Sequence, residues 1–408
     1  MSQQGPLLVV SSAGQPSFVR ALDEARMFPV IETPLPAAAR AVKQMQPSAV
    51  LADMHGVDRA PFAALAKLIA ARTPYVPLIA IDPTAPLPDN AIPFTSHAAK
   101  FDRLPARLNA ALRVRALHMT VLRRLSEEPA TRLPDSDPAR EATVLLIGRG
   151  GSYPALSVAL GERLGVVGAF SIEAAANHLN TRDIDGIVLG EGFTARVADA
   201  FLTVLSEDAR FRKLPIILTS DALAPSYELP NLEIIIGEPA EIAANALPLI
   251  RQHAFEARLG RTLRAIDAEG LLDPHTGLLV KASFDRDFVT AVQQTLANGG
   301  GLSVARFAFD AANTRAQLDG ARIISRLMRQ TDFGAVQTDG SVIVAFIDAD
   351  LRNAHGIARR LSAVMRHTAS GKRGARSEPT VTVATLQPQD SPKSLLARLY
   401  HPAQRAAS

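Results

Sequence analysis

The stretch Ala49-Val50-Leu51-Ala52-Asp53 is a short apolar run that ends on an acidic residue, and it sets the fold of the first part of the chain. A similar run, Leu7-Leu8-Val9-Val10, precedes it, and Val76-Pro77-Leu78-Ile79-Ala80-Ile81 follows it. Helical periodicity lies around these runs, from Ser17 to Phe28 and from Leu104 to Leu125. Short apolar strands that alternate with helices predict a doubly wound parallel α/β sheet.

The same alternation returns after residues 126–142, a polar segment with prolines that we interpret as a linker. The second copy begins with Val144-Leu145-Leu146-Ile147 and continues with the apolar runs Gly186-Ile187-Val188-Leu189 and Leu214-Pro215-Ile216-Ile217-Leu218. A long helical stretch from Ala240 to Ala268 leads out of it. Because the repeat is as long as a whole domain, it predicts two copies of one domain rather than a solenoid.

A different pattern begins near Asp273-Pro274-His275-Thr276-Gly277-Leu278. The run from Leu302 to Phe309 predicts a strand, and Phe333 to Gln337 and Ser341 to Ile347 predict the two strands of a hairpin. Asp339-Gly340, which lies between them, is typical of a hairpin turn. The predicted division is 1–125, a linker at 126–142, 143–254 and 255–408.

Composition argues against several classes of protein. The chain has 408 residues, of which 47% are apolar and 21% charged, as in ordinary globular proteins. It has no apolar run long enough to span a bilayer and no signal-peptide pattern, so we expect a cytoplasmic protein without membrane insertion. Dispersed arginines, a formal charge of +4 and few aromatic residues argue against nucleic-acid binding. There are no cysteines and the histidines are scattered, so no metal is expected.

Both α/β units resemble the receiver domains of two-component response regulators, in the order of their strands and helices and in the long final helix. The resemblance implies flavodoxin-like domains and makes Asp53, at the end of its strand, the candidate phosphoacceptor. The acidic pair that holds a metal ion in that family is replaced here by Ser11 and Ser12. In the second copy Gly190 stands at the acceptor position, so we expect no phosphorylation of that unit.

The third unit resembles the GGDEF domain of diguanylate cyclases, through the segment from Asp273 to Leu278 and through Arg329-Gln330-Thr331-Asp332 at that family's spacing to the hairpin. This resemblance implies a GGDEF-type α/β domain with a central mixed sheet. The catalytic motif is missing, because Thr338-Asp339-Gly340-Ser341 stands in its place. Arg306 falls at the position of the family's metal-binding aspartate on the first strand. We therefore expect a degenerate domain that is not an enzyme and has no catalytic residues.

The R-x-x-D pattern occurs at five other places in the chain, Arg182/Asp185 among them, and we interpret most of these pairs as solvated charges of helices or loops. The spacing to the hairpin is what singles out Arg329 and Asp332. The resemblance implies that these two residues bind cyclic di-GMP. It also implies that Arg360, or its neighbour Arg359, supplies an additional ligand-binding arginine. An arginine fork can bind guanine O6 and N7, and a carboxylate can accept from guanine N–H groups. The alternative is that Arg329 and Asp332 form a structural ion pair.

The order of the three units resembles PopA/PleD-like response regulators, which have a receiver–receiver–GGDEF architecture. The resemblance implies a non-catalytic, cyclic di-GMP-binding effector or adaptor of two-component and second-messenger signalling. It further implies a homodimer, protein partners, recruitment to the cell pole and a part in regulated proteolysis during the cell cycle. The alternative is a nucleotide-independent scaffold, built from pseudo-receivers and a dead GGDEF domain, that only binds other proteins.

Overall fold

The structure is a computed structural model, and it describes most of the chain. The described residues are 6–12, 14–27, 29–96, 100–127, 133, 136–220, 227, 229–298, 301–329, 331–366, 368–369 and 378–400. Gln330, Phe28 and parts of the predicted linker at 128–132 and 134–135 lie outside them. Within the described residues no helix is long and apolar enough to cross a membrane.

The first unit is a five-stranded sheet flanked by helices. Its strands are paired in the order β2-β1-β3-β4-β5, and every neighbouring pair is parallel. This is the flavodoxin-like order. The strands β1, β3, β4 and β5 are almost entirely buried, as in a sheet covered by helices on both faces, whereas the edge strand β2 is partly exposed. The elements are β1 Leu7–Ser11, α1 Val19–Glu24, β2 Val30–Pro34, α2 Leu35–Met45, β3 Ala49–Asp53, α3 Arg59–Ala70, β4 Leu78–Ile81, β5 Ala91–Phe94 and α4 Leu104–Glu127.

The second unit repeats the first. Its parallel strands are paired in the order β7-β6-β8-β9-β10, which is the same order by position in the chain. The predicted pair of doubly wound parallel sheets is therefore confirmed. The elements are β6 Thr143–Ile147, α5 Tyr153–Gly161, β7 Gly165–Ala169, α6 Ile172–Thr181, β8 Gly186–Leu189, α7 Ala195–Glu207, β9 Ile216–Leu218, β10 Leu232–Ile234 and α8 Pro239–Asp267.

The third unit has a four-stranded sheet with the order β12-β13-β11-β15, in which every neighbouring pair is antiparallel. The predicted mixed sheet is therefore wrong for the described residues. β11 and β12 do run in the same direction, but the return strand of the hairpin, β13, lies between them. The elements are α9 Lys281–Asn298, β11 Leu302–Ala308, α10 Thr314–Leu327, β12 Phe333–Val336, β13 Val342–Ile347, α11 Leu351–Met365, β14 Thr368–Ala369, β15 Thr380–Thr385 and α12 Pro392–Tyr400.

Two elements connect the second and third units. The helix α8 is continuous across the predicted boundary between residues 254 and 255, so one helix belongs to both units. The two-residue strand β14 leaves the third unit and pairs antiparallel with β7, which makes it the sixth strand of the second sheet. The second and third units therefore share a helix and a sheet.

The first two units pack through equivalent surfaces, the final strand and final helix of each. Val114 and Val121 of α4 lie in one buried cluster with Leu259 of α8. Beside them Arg107 is fully buried, and its Nη2 donates to Glu233 Oε1 at 2.7 Å. Removing either partner of this pair would leave an uncompensated buried charge at the contact between the two units. These faces are therefore already occupied within one chain.

Candidate functional site

Arg306 lies at the centre of the third sheet, opposite Ile343 of β13 and Thr382 of β15. Its Nε donates to Ser341 Oγ at 3.1 Å, and its Nη2 donates to Asp339 Oδ2 at 2.8 Å. Its guanidinium carbon is also 4.4 Å from the centroid of the Tyr400 ring. By the resemblance to GGDEF domains, this position would carry a metal-binding carboxylate. Here it carries a guanidinium that is hydrogen-bonded to the hairpin.

The hairpin turn uses Asp339 as a structural acceptor. Its Oδ1 accepts from the Ser341 backbone N–H at 3.0 Å and from Ser341 Oγ at 2.6 Å. Burial alone would raise the pKa of Asp339, but the hydrogen bonds from Ser341 and Arg306 lower it. Gly340 has φ +76°, and an added Cβ would lie 2.7 Å from Gln317 Oε1, so this position favours glycine. The predicted hairpin through Asp339-Gly340 is confirmed.

Arg329 and Asp332 are close in the sequence but differ in exposure to solvent. Arg329 is exposed just beyond the end of α10, and its carbonyl accepts from the Asp332 N–H at 3.1 Å. The Asp332 side chain is only 7% exposed, and its Oδ1 accepts from the Ile347 N–H, where β13 ends, at 3.2 Å. Its Oδ2 is buried and has no hydrogen-bond partner among the described residues. Burial raises the pKa of Asp332, and backbone hydrogen bonds from Ile347 and Arg329 and the charge of Arg329 offset this rise only in part.

Arg360 lies in a different environment. It lines a groove of about 720 Å³ between α11 and the second unit, together with Phe170 and His178. Arg359 instead lines a second depression beside Glu378. No hydrogen bond or ion pair between described residues joins Arg360 to Arg329 or Asp332. Neither Arg329 nor Asp332 lines the groove that Arg360 lines.

The sequence analysis missed a line of charged residues on α10, spaced so that they share one helix face. Arg315 Nη1 donates to the Ala142 carbonyl at 2.6 Å, and Arg326 Nη1 donates to Asp183 Oδ1 at 2.8 Å. Asp319 accepts from Arg182 Nη1 at 3.0 Å. All of these contacts reach the second unit or the segment before it. The charged side chains of α10 therefore hold this helix against the second unit.

Arg182 and Asp185 form one of the other R-x-x-D patterns, which we interpreted mainly as solvated charges. Both are buried: Arg182 is 1% exposed and Asp185 is 5% exposed. Asp185 Oδ2 accepts from the Thr143 N–H at 2.9 Å, while Arg182 binds Asp319 of the third unit. For this pair the solvated interpretation is wrong, because both side chains are buried, and Arg182 joins the second unit to the third.

Glu141 is the centre of a buried charge network. Its Oε1 accepts from Arg258 at 2.8 Å, and its Oε2 accepts from Arg322 at 2.8 Å and from Arg261 at 3.4 Å. His275 Nδ1 lies 3.5 Å from Oε1. Burial alone would raise the pKa of Glu141, but the hydrogen bond with His275 and the charges of Arg258 and Arg322 hold it far below its ordinary value. One carboxylate thus connects α8, α10 and the segment before β6.

Asp53 lies at the carboxyl end of β3, as the sequence predicts. Its Oδ1 accepts from the backbone N–H of His55 at 3.1 Å and lies 2.7 Å from His55 Nδ1. The hydrogen bond and the negative charge of Asp53 raise the pKa of His55. Ser12 Oγ donates to the His55 carbonyl at 2.7 Å. The partner of Asp53 is therefore a histidine that the sequence analysis did not identify.

Phosphorylation of a receiver domain requires acidic side chains that hold a divalent cation. Within the described ranges, no group of three histidine, aspartate or glutamate residues is placed to hold a metal ion. In the second unit Gly190 follows β8, and the nearby Arg149 lies over the Phe193 ring, 4.9 Å from its centroid. Thr219 Oγ1 donates to the Leu189 carbonyl at 3.3 Å. The second unit thus offers an arginine and a glycine at this edge, with no carboxylate at the acceptor position.

No protein-family model matches this chain, and no curated protein matches it. Solved structures are similar to part of it. The coiled coil and GGDEF domain of DgcB from Caulobacter crescentus, in complex with c-di-GMP, has a TM-score of 0.31 at 15% identity and covers 35% of this chain and 83% of its own. The FimX GGDEF domain from Pseudomonas aeruginosa has a TM-score of 0.29 at 18% identity, over 32% and 89%.

A third similar structure is the diguanylate cyclase SiaD from Pseudomonas aeruginosa in complex with its activator SiaC. It has a TM-score of 0.30 at 14% identity and covers 35% of this chain and 62% of that chain. These structure neighbours contain GGDEF domains and correspond to about a third of this chain.

Proposed function

We propose that this protein is a non-catalytic signalling effector that binds cyclic di-GMP through a degenerate GGDEF domain carried by two receiver-like domains. The observation that supports the loss of catalysis is the closure of Arg306 onto Asp339 and Ser341. Cyclase chemistry requires carboxylates that hold metal ions against the phosphates. A guanidinium in that place repels a divalent cation and also neutralises the nearest carboxylate.

The support for a ligand comes from the Arg329–Asp332 segment. Arg329 presents its guanidinium to solvent, where it can donate to guanine or phosphate oxygens. Asp332 holds a buried carboxylate oxygen with no donor among the described residues, and such an atom is costly unless a partner reaches it. Guanine N1–H and N2–H are donors of the required kind. We propose that the ligand supplies them after a small local opening.

Arg360 is the third proposed ligand residue, and its position constrains its role. It lies beside Phe170 of the second unit, whose ring is 61% exposed and 5.0 Å from that of Tyr153. An arginine and an exposed aromatic ring are both suited to a guanine face. Arg360 would therefore contact the ligand from this groove or from a neighbouring protomer.

The scaffold alternative is favoured by a separate observation. Asp332 is turned toward Ile347, and α10, which leads to Arg329, is fixed to the second unit by Arg315, Asp319 and Arg326. In that case the R-x-x-D segment would only end α10, and all three units would serve as surfaces for other proteins. Titration with cyclic di-GMP distinguishes the two functions, because only the effector binds the nucleotide.

We expect no diguanylate cyclase activity from the full chain. Purified protein incubated with GTP and magnesium should form no cyclic di-GMP above an enzyme-free control, assayed by chromatography, because Arg306 occupies the metal position. A known active cyclase assayed in parallel shows that the conditions permit the reaction. Product formation above the blank by this chain would overturn the assignment.

We also expect acetyl phosphate or beryllofluoride with magnesium to change neither the mass nor the oligomeric state of the protein. Gly190 provides no carboxylate, and Asp53 faces His55 with serines in place of the metal-binding acidic pair.

We propose that the chain is a dimer by light scattering at about 100 µM whether or not these reagents are present. The dimer must use surfaces other than the α4–α8 contact. Magnesium-dependent modification of Asp53 would contradict the prediction that these reagents leave the mass unchanged. A strictly monomeric chain would contradict the proposed dimer.

The proposed output is ligand-dependent recruitment of protein partners, in a response-regulator pathway of the cell cycle with polar localisation and regulated proteolysis. This part rests on the resemblance to PopA/PleD-like regulators. The units that would respond are joined through α8 and β14, so a change at the third unit can reach the second. A pull-down from cell extract with and without cyclic di-GMP would identify such partners.

A further inference from the structure

A cavity of about 340 Å³ lies where the first unit meets the linker and α8. Its walls include Tyr75 before β4, His118 of α4 and Gln252 of α8. The volume is at the lower end of the range for small-molecule sites. It is distant in sequence from the R-x-x-D segment and is built from different elements, so it is a separate feature of the molecule.

One side of the cavity is aromatic. The rings of Tyr75 and Phe255 meet edge to face with centroids 5.6 Å apart, and the His118 ring lies edge to face on Phe255 at 5.1 Å. Val76 and Ile92 add aliphatic surface. A flat unsaturated body packs well against edges and faces of this kind.

The same side carries fixed hydrogen-bond donors. The Tyr75 backbone N–H donates to His118 Nδ1 at 3.0 Å, so the neutral ring must carry its proton on Nε2. Burial lowers the pKa of His118 and raises that of Tyr75 to about 12, so the imidazole stays neutral and the phenol stays protonated at neutral pH. Gln252, only 8% exposed, donates through Nε2 to Tyr75 Oη at 3.2 Å.

Three arginines line the cavity, of which Arg258 is paired with Glu141 and the other two, Arg72 and Arg251, have donors to spare. Arg72 uses one N–H for the Val42 carbonyl at 2.9 Å, and Arg251 uses Nε for Asp137 Oδ1 at 2.8 Å. A guanidinium has five N–H donors, so most donors of each are unused by described residues. Asp137 cancels only one of the two charges. The lining is therefore cationic, and it combines aromatic rings with hydrogen-bond donors.

We propose that this cavity binds a small organic anion, a carboxylate or phosphate carried on a flat unsaturated body. Arg72 and Arg251 would bind the anionic group, and Tyr75 and Phe255 would pack on the body. Because α8 continues into the third unit, an occupied cavity would stabilise the contact between the first unit and the helix shared by the other two. This proposal does not depend on cyclic di-GMP binding.

The test uses the full chain with 1-naphthyl phosphate and 1-naphthoate as probes, and neutral 1-naphthylmethanol as the uncharged comparison. Calorimetry and thermal unfolding should show saturable binding and stabilisation by at least one anion and none by the alcohol. Arg251→Met should weaken the anion about tenfold or more, since it removes one charged partner. Ala70→Trp, at an exposed lining position of α3, should block the entrance without disturbing the core.

The matched control is Arg264→Met, on the same helix but exposed and outside the cavity lining. It should bind the probe as wild type does. The proposal is overturned if neither anion binds at millimolar concentration, if the alcohol binds equally well, or if both Arg251→Met and Ala70→Trp bind like wild type. Should Arg251→Met unfold, Ala70→Trp alone decides the result.

Discussion

Replacing Glu141 with glutamine should lower the free energy of unfolding by about 3–5 kcal/mol, the usual effect of removing one partner from a buried charge network. The carboxylate is 9% exposed, and its partners Arg258, Arg261 and Arg322 are 2%, 8% and 6% exposed. Without it, three buried guanidinium groups face one another with no anion between them. The loss should appear in urea or thermal unfolding followed by circular dichroism.

Asp285→Asn is the matched control for the Glu141 variant. Asp285 pairs with Lys281 four residues earlier on α9, and both side chains are about half exposed. Exposed pairs of this spacing contribute about 0.3–0.5 kcal/mol. If Glu141→Gln unfolds at the same denaturant concentration as Asp285→Asn, the network does not hold the units together.

Glu141 should also give the protein an acid-sensitive step. Its folded pKa lies below the unfolded value of about 4.3. Its contribution to stability is therefore complete above that unfolded pKa and is lost as the pH falls through the lower folded pKa. Wild type should lose stability below about pH 4 more steeply than Glu141→Gln does, because the variant lacks this titrating group.

Arg329→Ala should weaken binding of cyclic di-GMP by about tenfold or more. Truncation removes a charged fork and leaves guanine and phosphate oxygens without their donor, which costs about 1.5–3 kcal/mol. Arg329 is exposed and is not part of the buried charge networks described above, so its replacement should leave the fold intact. Calorimetric titration with the dinucleotide measures the change directly.

Two further variants make the Arg329 result specific. Asp332→Asn keeps the shape of the buried side chain but replaces an acceptor by an amide, so affinity should fall while stability changes little. The raised pKa of Asp332 supports this tolerance, because the ligand-free fold already disfavours its charge. Arg264→Ala, from an R-x-x-D outside this spacing, should bind like wild type. Equal affinity of Arg329→Ala and wild type would remove the proposed site.

The sequence predicted the features that depend on local pattern. Strands such as β3 and β6 are apolar on both faces, which is what a sheet covered by helices requires. Asp339-Gly340 predicted the hairpin because few other residues adopt its turn. The position of Asp53 at the end of β3 was also predictable from local pattern, because Asp53 directly follows an apolar run.

The remaining features depend on contacts between distant parts of the chain. The antiparallel third sheet results from β13 entering between β11 and β12, which periodicity does not reveal. Glu141 and Arg182 look like surface charges in the sequence, but contacts with distant elements bury them, Glu141 against α8 and α10 and Arg182 against α10 and α11. Arg360 has a helical position that sequence can give, but the groove it lines belongs partly to the second unit.

The most direct measurement for the central claim is calorimetric titration of the wild-type chain with cyclic di-GMP, beside GTP as a comparison. We expect saturable binding of cyclic di-GMP with a Kd on the order of a micromolar. We expect no conversion of GTP in the calorimeter cell. Absence of heat, and of any shift in unfolding temperature, at about 100 µM dinucleotide would contradict the effector function and leave the protein-binding scaffold in its place.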